Sequence, residues 1–347
     1  MNQDKKFKFI DLFAGIGGFR IALESYQGEC VYTSEWDAQS QITYKANFGD
    51  LPDGDITKVS EFDIPKHDVL CAGFPCQAFS ISGKQRGFAD TRGTLFFDVA
   101  RIAKHHQPKV LFLENVRNFV KHDGGKTLEV VIQTLDEIGY DVNYKILNAS
   151  YYGSITSRER VYIIAFRKDL GIKNFEYPNQ IFNDKKVVDI LEENINEKYF
   201  INRSDILMNE AKFNTFLEKN IFKPFQIGKI NKGGQGERIY SVNAHAITLS
   251  AHGGGAAAKT GAYLVDGKIR KLTPRECARV MGFDDSFKIP VSDSQAYKQF
   301  GNSVAIEVLK NIFKQINNIN SIWEKQTNIL QNSDLKSQKE ASIMSKM

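Results

Sequence analysis

The stretch GFPCQAFSISGKQRGF, residues 73–88, sets a lone cysteine, Cys76, between a proline and a glutamine, just ahead of a small-residue, basic run. A thiolate there could attack an electrophile held beside a cofactor, helped by exposed backbone N–H groups. Candidate partners lie elsewhere in the chain: Glu114 near the end of the apolar run KVLFLENV, and Arg158 and Arg160 in SRER just before another apolar run. Each also has a plainer reading, Glu114 as the cap of a following helix and the arginines as solvated charges in a turn. The other cysteines, Cys30, Cys71 and Cys277, sit in apolar strand-like or helical runs and read as buried structural thiols. No pair has C-x-x-C spacing, so neither a zinc site nor a redox motif is signalled and no metal is expected.

A second chemical feature is FIDLFAGIGGFR, an apolar strand running straight into Gly15, Gly17 and Gly18. Glycines at a strand end let a ligand approach the backbone, and the free N–H groups of the next helix face it. Glu35 follows twenty positions after Gly15, where a carboxylate can accept ribose hydroxyls, and Trp36 beside it offers a flat face for adenine. Phe13 and Asp55 add an aromatic and an acidic group to the same candidate site. The spacing is G-x-G-G, not the dinucleotide G-x-G-x-x-G, which favours a nucleoside ligand without a pyrophosphate over a nicotinamide cofactor.

These residues need a scaffold, and the first half of the chain supplies one. KFKFIDLF, CVYTSE, HDVLCAG, KVLFLENV, YDVNYKIL and RVYIIAF read as strands alternating with longer amphipathic stretches, which predicts an α/β fold with a mostly parallel sheet covered by helices. That arrangement puts the glycine turn, Cys76 and Glu114 on one rim, the carboxyl end of the sheet. Between about residues 179 and 271 the pattern dissolves into Asn, Lys and Gly, with NKGGQGERIYS and SAHGGGAAAKTG too glycine-rich for helix interiors, so a separate, irregular, loop-bearing domain is expected. Order returns with LTPRECARVMGF, where Thr273 at the N-cap, Pro274 at the first helical position and Glu276 at the third form a capping box. AIEVLKNIFKQINNI is a further amphipathic helix able to pack back onto the first domain, and the polar residues after Trp323 carry no assigned function. The expected division is 1–185 for a catalytic and cofactor-binding domain, 186–271 for a recognition domain, 272–323 for a hinge and return, and 324–347 for a tail.

The 347 residues carry a formal charge of +5, compatible with a polyanionic partner without demanding one. No signal peptide and no run of roughly 18 apolar residues occurs, so a cytosolic protein is expected, with no membrane partner.

Taken in order, DLFAGIGGFR, GFPCQAFS, ENV, SRER and QFGNSV resemble the motifs of the DNA (cytosine-5) methyltransferases, from about Phe9 to Ile312. The resemblance implies a Rossmann-like sheet that binds S-adenosylmethionine and a smaller, loop-rich target-recognition domain. It implies that Cys76 adds to carbon 6 of a cytosine flipped out of duplex DNA, that Glu114 hydrogen-bonds ring nitrogen 3 and the exocyclic amine, and that Arg160 and Arg158 hold the carbonyl oxygen and the site's shape. Phe13, Gly15, Gly17, Gly18, Glu35, Trp36, Asp55, Ile56, Pro75, Leu95, Asn302 and Val304 would line the cofactor pocket. Ser82, Lys84 and Arg86 would sit on a lid over the DNA, Gln235 would fill the gap left by the flipped base, and Arg238 would contact a guanine. The family usually has Gln where this chain has Thr156, which implies weakened local hydrogen bonding. The loop GGQGERIYS and the following AITLSA resemble those of a bacterial member that reads GCGC, implying methylation of its inner cytosine, with a related CG-centred site as fallback because VNAHA and AHGGGAAA depart from that pattern. A monomeric modification enzyme with a cognate endonuclease on the same site is the implied setting. An RNA cytosine methyltransferase, and a DNA-binding module that has lost catalysis, are the competing readings.

Overall fold

The structure, a computed structural model, describes residues 7–75, 95–209, 211–212 and 221–323. Strands β1 (Phe7–Leu12), β2 (Gly28–Ser34), β3 (Val69–Ala72) and β4 (Val110–Val116) run parallel, and β5 (Tyr140–Asn148) and β6 (Glu159–Arg167) complete a six-stranded sheet in the order β2-β1-β3-β4-β6-β5. β6 is antiparallel to both β4 and β5, so the sheet is mixed. The chain moves outward from β1 to β2 and then crosses to β3 on β1's other side, which opens a crevice beyond the carboxyl ends of β1 and β3. Because β6 is antiparallel, its first residues reach that same rim.

Both faces of this sheet are covered, which is why its strands read as near-continuous apolar runs. Phe7, Phe9, Cys71 and Phe112 pack on one side with residues of α1 (Gly18–Glu24) and of a C-terminal helix described below. Ile10, Leu12, Leu70 and Leu111 pack on the other with Val99 and Ile102 of α3 (Leu95–His106) and Val131 and Leu135 of α4 (Lys126–Glu137). A short α2 (Ala38–Phe48), capped by the Asp37 side chain on Ser40 N, follows β2.

The region expected to be irregular contains a second sheet. β7 (Ile206–Met208), β8 (Gln226–Ile230), β9 (Arg238–Ser241), β10 (Ala262–Val265) and β11 (Lys268–Lys271) form it in the order β11-β10-β9-β8-β7. Its strands have only three to five residues, so too few alternations occur in a row to register in sequence. Ile227, Ile230, Ile239 and Ala262 make its small core.

The capping box forms as expected at α5 (Pro274–Met281): Glu276 N–H donates to Thr273 Oγ1 and Thr273 N–H to Glu276 Oε2. Glu276 does more than cap, since its buried carboxylate also takes both guanidinium forks of buried Arg270 on β11 at 2.7 Å and the Glu192 N–H at 2.8 Å. That closes the seam between the two sheets with a fully hydrogen-bonded ion pair. α6 (Asp293–Asn302) and α7 (Ile306–Asn317) then return to the first sheet, and α8 (Asn320–Trp323) sets Trp323 against Phe7 at 4.9 Å between ring centroids. Among the described residues, no helix is long and apolar enough to cross a membrane.

Candidate active site

A cavity of about 1160 Å³ lies at the carboxyl rim of the larger sheet. Phe13, Gly15, Gly18, Glu35, Trp36, Asp55, Ile56, Pro75, Leu95, Asn302 and Val304 line it, together with Glu114, Arg158 and Arg160. Of the expected cofactor residues only Gly17 stays off the lining, and its part is conformational: at φ +87° a Cβ would lie 2.3 Å from the Phe48 ring. Gly18 allows an equally close approach by Val304, whose Cγ2 would be 2.5 Å from an added Cβ. The turn can therefore be tight only with glycine in both places.

Glu35 is buried at the end of β2 and held by two backbone donors, Gly15 N–H to Oε2 and Asp37 N–H to Oε1, each at 2.8 Å. Burial raises its pKa while those N–H groups pull it back. Each oxygen has a further lone pair for a hydroxyl donor. Trp36 is 80% exposed beside it, an unusual cost for so large an apolar ring and one that a planar ligand would relieve. On the opposite wall, Arg101 Nη2 donates to the Ile56 carbonyl at 3.2 Å and to Asp98 Oδ1 at 3.1 Å, which fixes the Asp55–Ile56 turn. Asp37 is paired with Lys298 and Asp98 with Arg101, which leaves Glu35 and Asp55 to give these walls a negative bias. A cationic nucleoside bearing adenine and ribose fits this donor set.

The deeper end is built around Glu114. Its carboxyl is buried, and burial raises its pKa, with Arg160 and then Arg158 opposing the rise. Arg160 Nε lies 3.1 Å from Oε1 but off the line of a hydrogen bond, so Oε1 is left without a hydrogen-bond partner among the described residues. A buried, unsatisfied carboxyl aimed into a cavity is poised for a ligand's donor or acceptor. Next to it, Asn115 Nδ2 donates to the Phe74 carbonyl at 2.9 Å, anchoring the segment that leads into Pro75. Cys76, Ser82, Lys84 and Arg86 lie outside the described residues, as does the tail from residue 324. The three remaining thiols are the half-buried Cys30, pushed up to about 12, and the buried Cys71 and Cys277, pushed well above the usual range; burial is the main cause in each.

Arg158 and Arg160 differ sharply. Arg160 faces Glu114, whereas Arg158 is 2% exposed and spends its guanidinium on three backbone carbonyls, those of Leu249, Gly301 and Ser303. Thr156, where the family usually has Gln, keeps a hydrogen bond here: its hydroxyl donates to the Ile247 carbonyl at 2.9 Å, and its backbone bridges Ala246. The shorter side chain reaches because the two segments run side by side.

Gln235, on the loop between β8 and β9, and Arg238, the first residue of β9, are exposed and away from the cavity lining. Glu237 organises this loop, accepting from Gly234 N–H at 3.0 Å and Asn231 Nδ2 at 3.1 Å. A second glycine loop, residues 252–255, packs against it so closely that a Cβ on Gly236 would lie 2.1 Å from the Gly254 carbonyl. Sequence reasoning read this second loop only as glycine-rich and missed Asn115, Asp98, Arg101 and His252, which also line the cavity. For Asn115 the signal was present in ENV; for the others only the folded contacts reveal it.

Residues 7–318 match the family described as C-5 cytosine-specific DNA methylase. The chain is 58% identical over 306 residues to the Type II methyltransferase M.HhaI of Haemophilus parahaemolyticus, covering 88% of this chain and 92% of that protein. It is 47% identical to M.HpaII of Haemophilus parainfluenzae, covering 91% and 90%. In fold it is similar to the S. pombe Dnmt2 methyltransferase, with a TM-score of 0.66 at 20% identity over 90% of this chain and 99% of that one. With the glycine turn, the acidic nucleoside cradle and the Glu114–Arg160 pair on one rim, the chain belongs to the C-5 cytosine-specific DNA methylases and is a DNA cytosine-5 methyltransferase that draws its methyl group from S-adenosylmethionine.

Proposed function

We propose that this enzyme is the modification half of a type II restriction–modification pair and methylates the inner cytosine of duplex GCGC. The observation that carries the chemistry is the buried Glu114 Oε1, ion-paired with Arg160 but without a hydrogen-bond partner among the described residues, facing the same cavity as the cofactor cradle. A stacked base cannot reach that depth, so the cytosine must be swung out by roughly 180°, at a cost of a few kcal/mol. The Cys76 thiolate adds to carbon 6, and the electron pair displaced from the ring double bond makes carbon 5 nucleophilic. A Glu114 carboxyl whose pKa is raised can hold a proton against ring nitrogen 3 as charge builds there, while its other oxygen accepts from the exocyclic amine. Arg160 is the cation nearest the base's carbonyl oxygen. S-adenosylmethionine, when bound, supplies an electrophilic methyl group. Loss of the carbon 5 proton then returns the electron pair to the ring and expels Cys76.

Glu35 would take the ribose hydroxyls, Trp36 the adenine face, and the Asp55–Ile56 turn the adenine edge. We assign the smaller sheet to target reading. Gln235 projects from a loop whose glycines let backbone approach a groove, and Arg238, where that loop enters β9, has the fork that suits guanine O6 and N7. The GCGC assignment rests on the resemblance of the loop GGQGERIYS to that of a bacterial member that reads GCGC and on the 58% identity to M.HhaI over 306 residues. Bisulfite sequencing of plasmid DNA from expressing cells should show methylation at the inner cytosine of GCGC, and an endonuclease that cuts GCGC should leave the plasmid intact. Full cutting at GCGC with methylation in another context would overturn the site and leave the chemistry. A covalent adduct with DNA carrying 5-fluorocytosine, absent in Cys76→Ser, tests the nucleophile.

A further inference from the structure

Arg158 sits two residues from Arg160 and lines the same cavity, yet its two terminal nitrogens are spent on backbone carbonyls. Nη1 donates to the Leu249 carbonyl at 3.2 Å, and Nη2 to the carbonyls of Gly301 at 3.1 Å and Ser303 at 2.6 Å. These acceptors belong to two bodies. Leu249 leads into the glycine loop 252–255, which packs on the reading loop through Gly236, with Ala257 N–H donating to the Gly236 carbonyl at 2.9 Å. Gly301 and Ser303 flank Asn302 and precede Val304, the wall of the cofactor cradle that packs on Gly18. The two segments also touch directly: a Cβ on Gly301 would lie 2.3 Å from Ala251 N and 2.3 Å from the Ser250 carbonyl carbon. Burying this guanidinium is costly, the more so because its Nε has no hydrogen-bond partner among the described residues, and apolar packing could join two segments without that cost. A buried cation here fixes the angle between the segments through directional bonds.

We propose that Arg158 is a positioning residue that joins the DNA-reading loops to the cofactor loop, so that occupancy of one site raises affinity at the other. This rests on the assignment of the smaller sheet to DNA reading. Neither loop can shift without stretching a bond to the shared guanidinium, so a ligand that orders Asn302–Val304 also orders the segment after Leu249. Thermodynamic linkage then requires the effect to be equal in both directions.

The test measures binding, not turnover. The dissociation constant of S-adenosylhomocysteine is measured with and without a duplex carrying the site reported by bisulfite sequencing, and that of the duplex with and without S-adenosylhomocysteine. In the unmodified enzyme each ligand should tighten the other by the same factor, of about five- to a hundredfold. In Arg158→Lys, which keeps the charge but cannot span three carbonyls, the factor should fall to within about twofold of one. If Arg158→Lys fails a thermal-melt check of folding, Gly301→Ala decides, because it wedges the same joint and leaves the arginine in place. Arg160→Lys should slow methyl transfer while keeping the coupling. A wild-type factor near one, or an unchanged factor in a folded Arg158→Lys or in Gly301→Ala, overturns the proposal. Failure of the unmodified enzyme to bind either ligand would instead sink the functional reading beneath it.

Discussion

At the scale of single residues the site separates groups that act on the base from groups that hold them. Glu114 is the test of the first kind. Burial raises its pKa, and replacing it with Gln keeps the shape but takes away the carboxyl's charge and its ability to pass a proton to nitrogen 3. Glu114→Gln should lower the single-turnover methyl-transfer rate by about a hundred- to a thousandfold, with duplex affinity retained. A rate within a few-fold of wild type would remove Glu114 from the chemistry. Glu35 acts at the other end of the cavity. Glu35→Ala removes both the ribose acceptor and the anchor of Gly15 and Asp37, so the S-adenosylmethionine dissociation constant should rise by about ten- to a hundredfold, the worth of hydrogen bonds to a charged group. Calorimetric titration checks it, and duplex affinity measured without cofactor should stay put; equal losses would point to a folding defect.

At the scale of elements, what could be read in advance follows the length of the apolar pattern. Six strand positions of the larger sheet were legible because each is a run of four to nine residues flanked by turn signals. The capping box of α5 was legible because its bonds are local. The antiparallel insertion of β6 between β4 and β5 was not, since a buried antiparallel strand reads the same as a parallel one. Nor was Arg158's role, because its acceptors lie 91, 143 and 145 residues away. The two glycine loops belong at this scale too. Gly236→Ala would press a methyl group onto the Gly254 carbonyl and force the loops apart. Cofactor affinity should be unchanged within about twofold, while discrimination between the cognate site and a one-base variant should fall by about 1–3 kcal/mol, the worth of one good base contact. Competition binding with the two duplexes gives the answer, and undiminished discrimination would separate the loop pairing from reading.

For the whole molecule, pH is a sharper probe than salt. His67 is 5% exposed at the foot of β3, its Nδ1 paired with the Pro65 carbonyl and its Nε2 unpartnered among the described residues. Burial lowers its pKa to about 4, and the His106 ring at 4.8 Å adds to the effect. The unfolded chain therefore binds a proton between about pH 6.5 and 4 that the folded protein refuses. This contribution favours folding above about pH 6.5, is lost progressively as pH falls toward 4, and is flat below that. The loss is about 3 kcal/mol over the window. Urea melts at pH 7, 5.5 and 4.5 should show a steeper decline for wild type than for His67→Gln; parallel declines would place the acid sensitivity elsewhere.

The return of α7 to the first strand also bears on how the chain is made. Phe7 and Phe9 are buried partly against Leu309, Ile312 and Phe313, so the apolar face of the earliest strand has only the partial cover of α1 until nearly the last described helix leaves the ribosome. Val304, the far wall of the cradle, arrives roughly 140 residues after β6 is complete. At typical elongation rates that is roughly seven to thirty seconds. During that interval the nascent protein carries an exposed greasy surface suited to a chaperone and a half-built cradle without its Asn302–Val304 wall, so cofactor capture must follow, and cannot guide, the folding of the larger sheet.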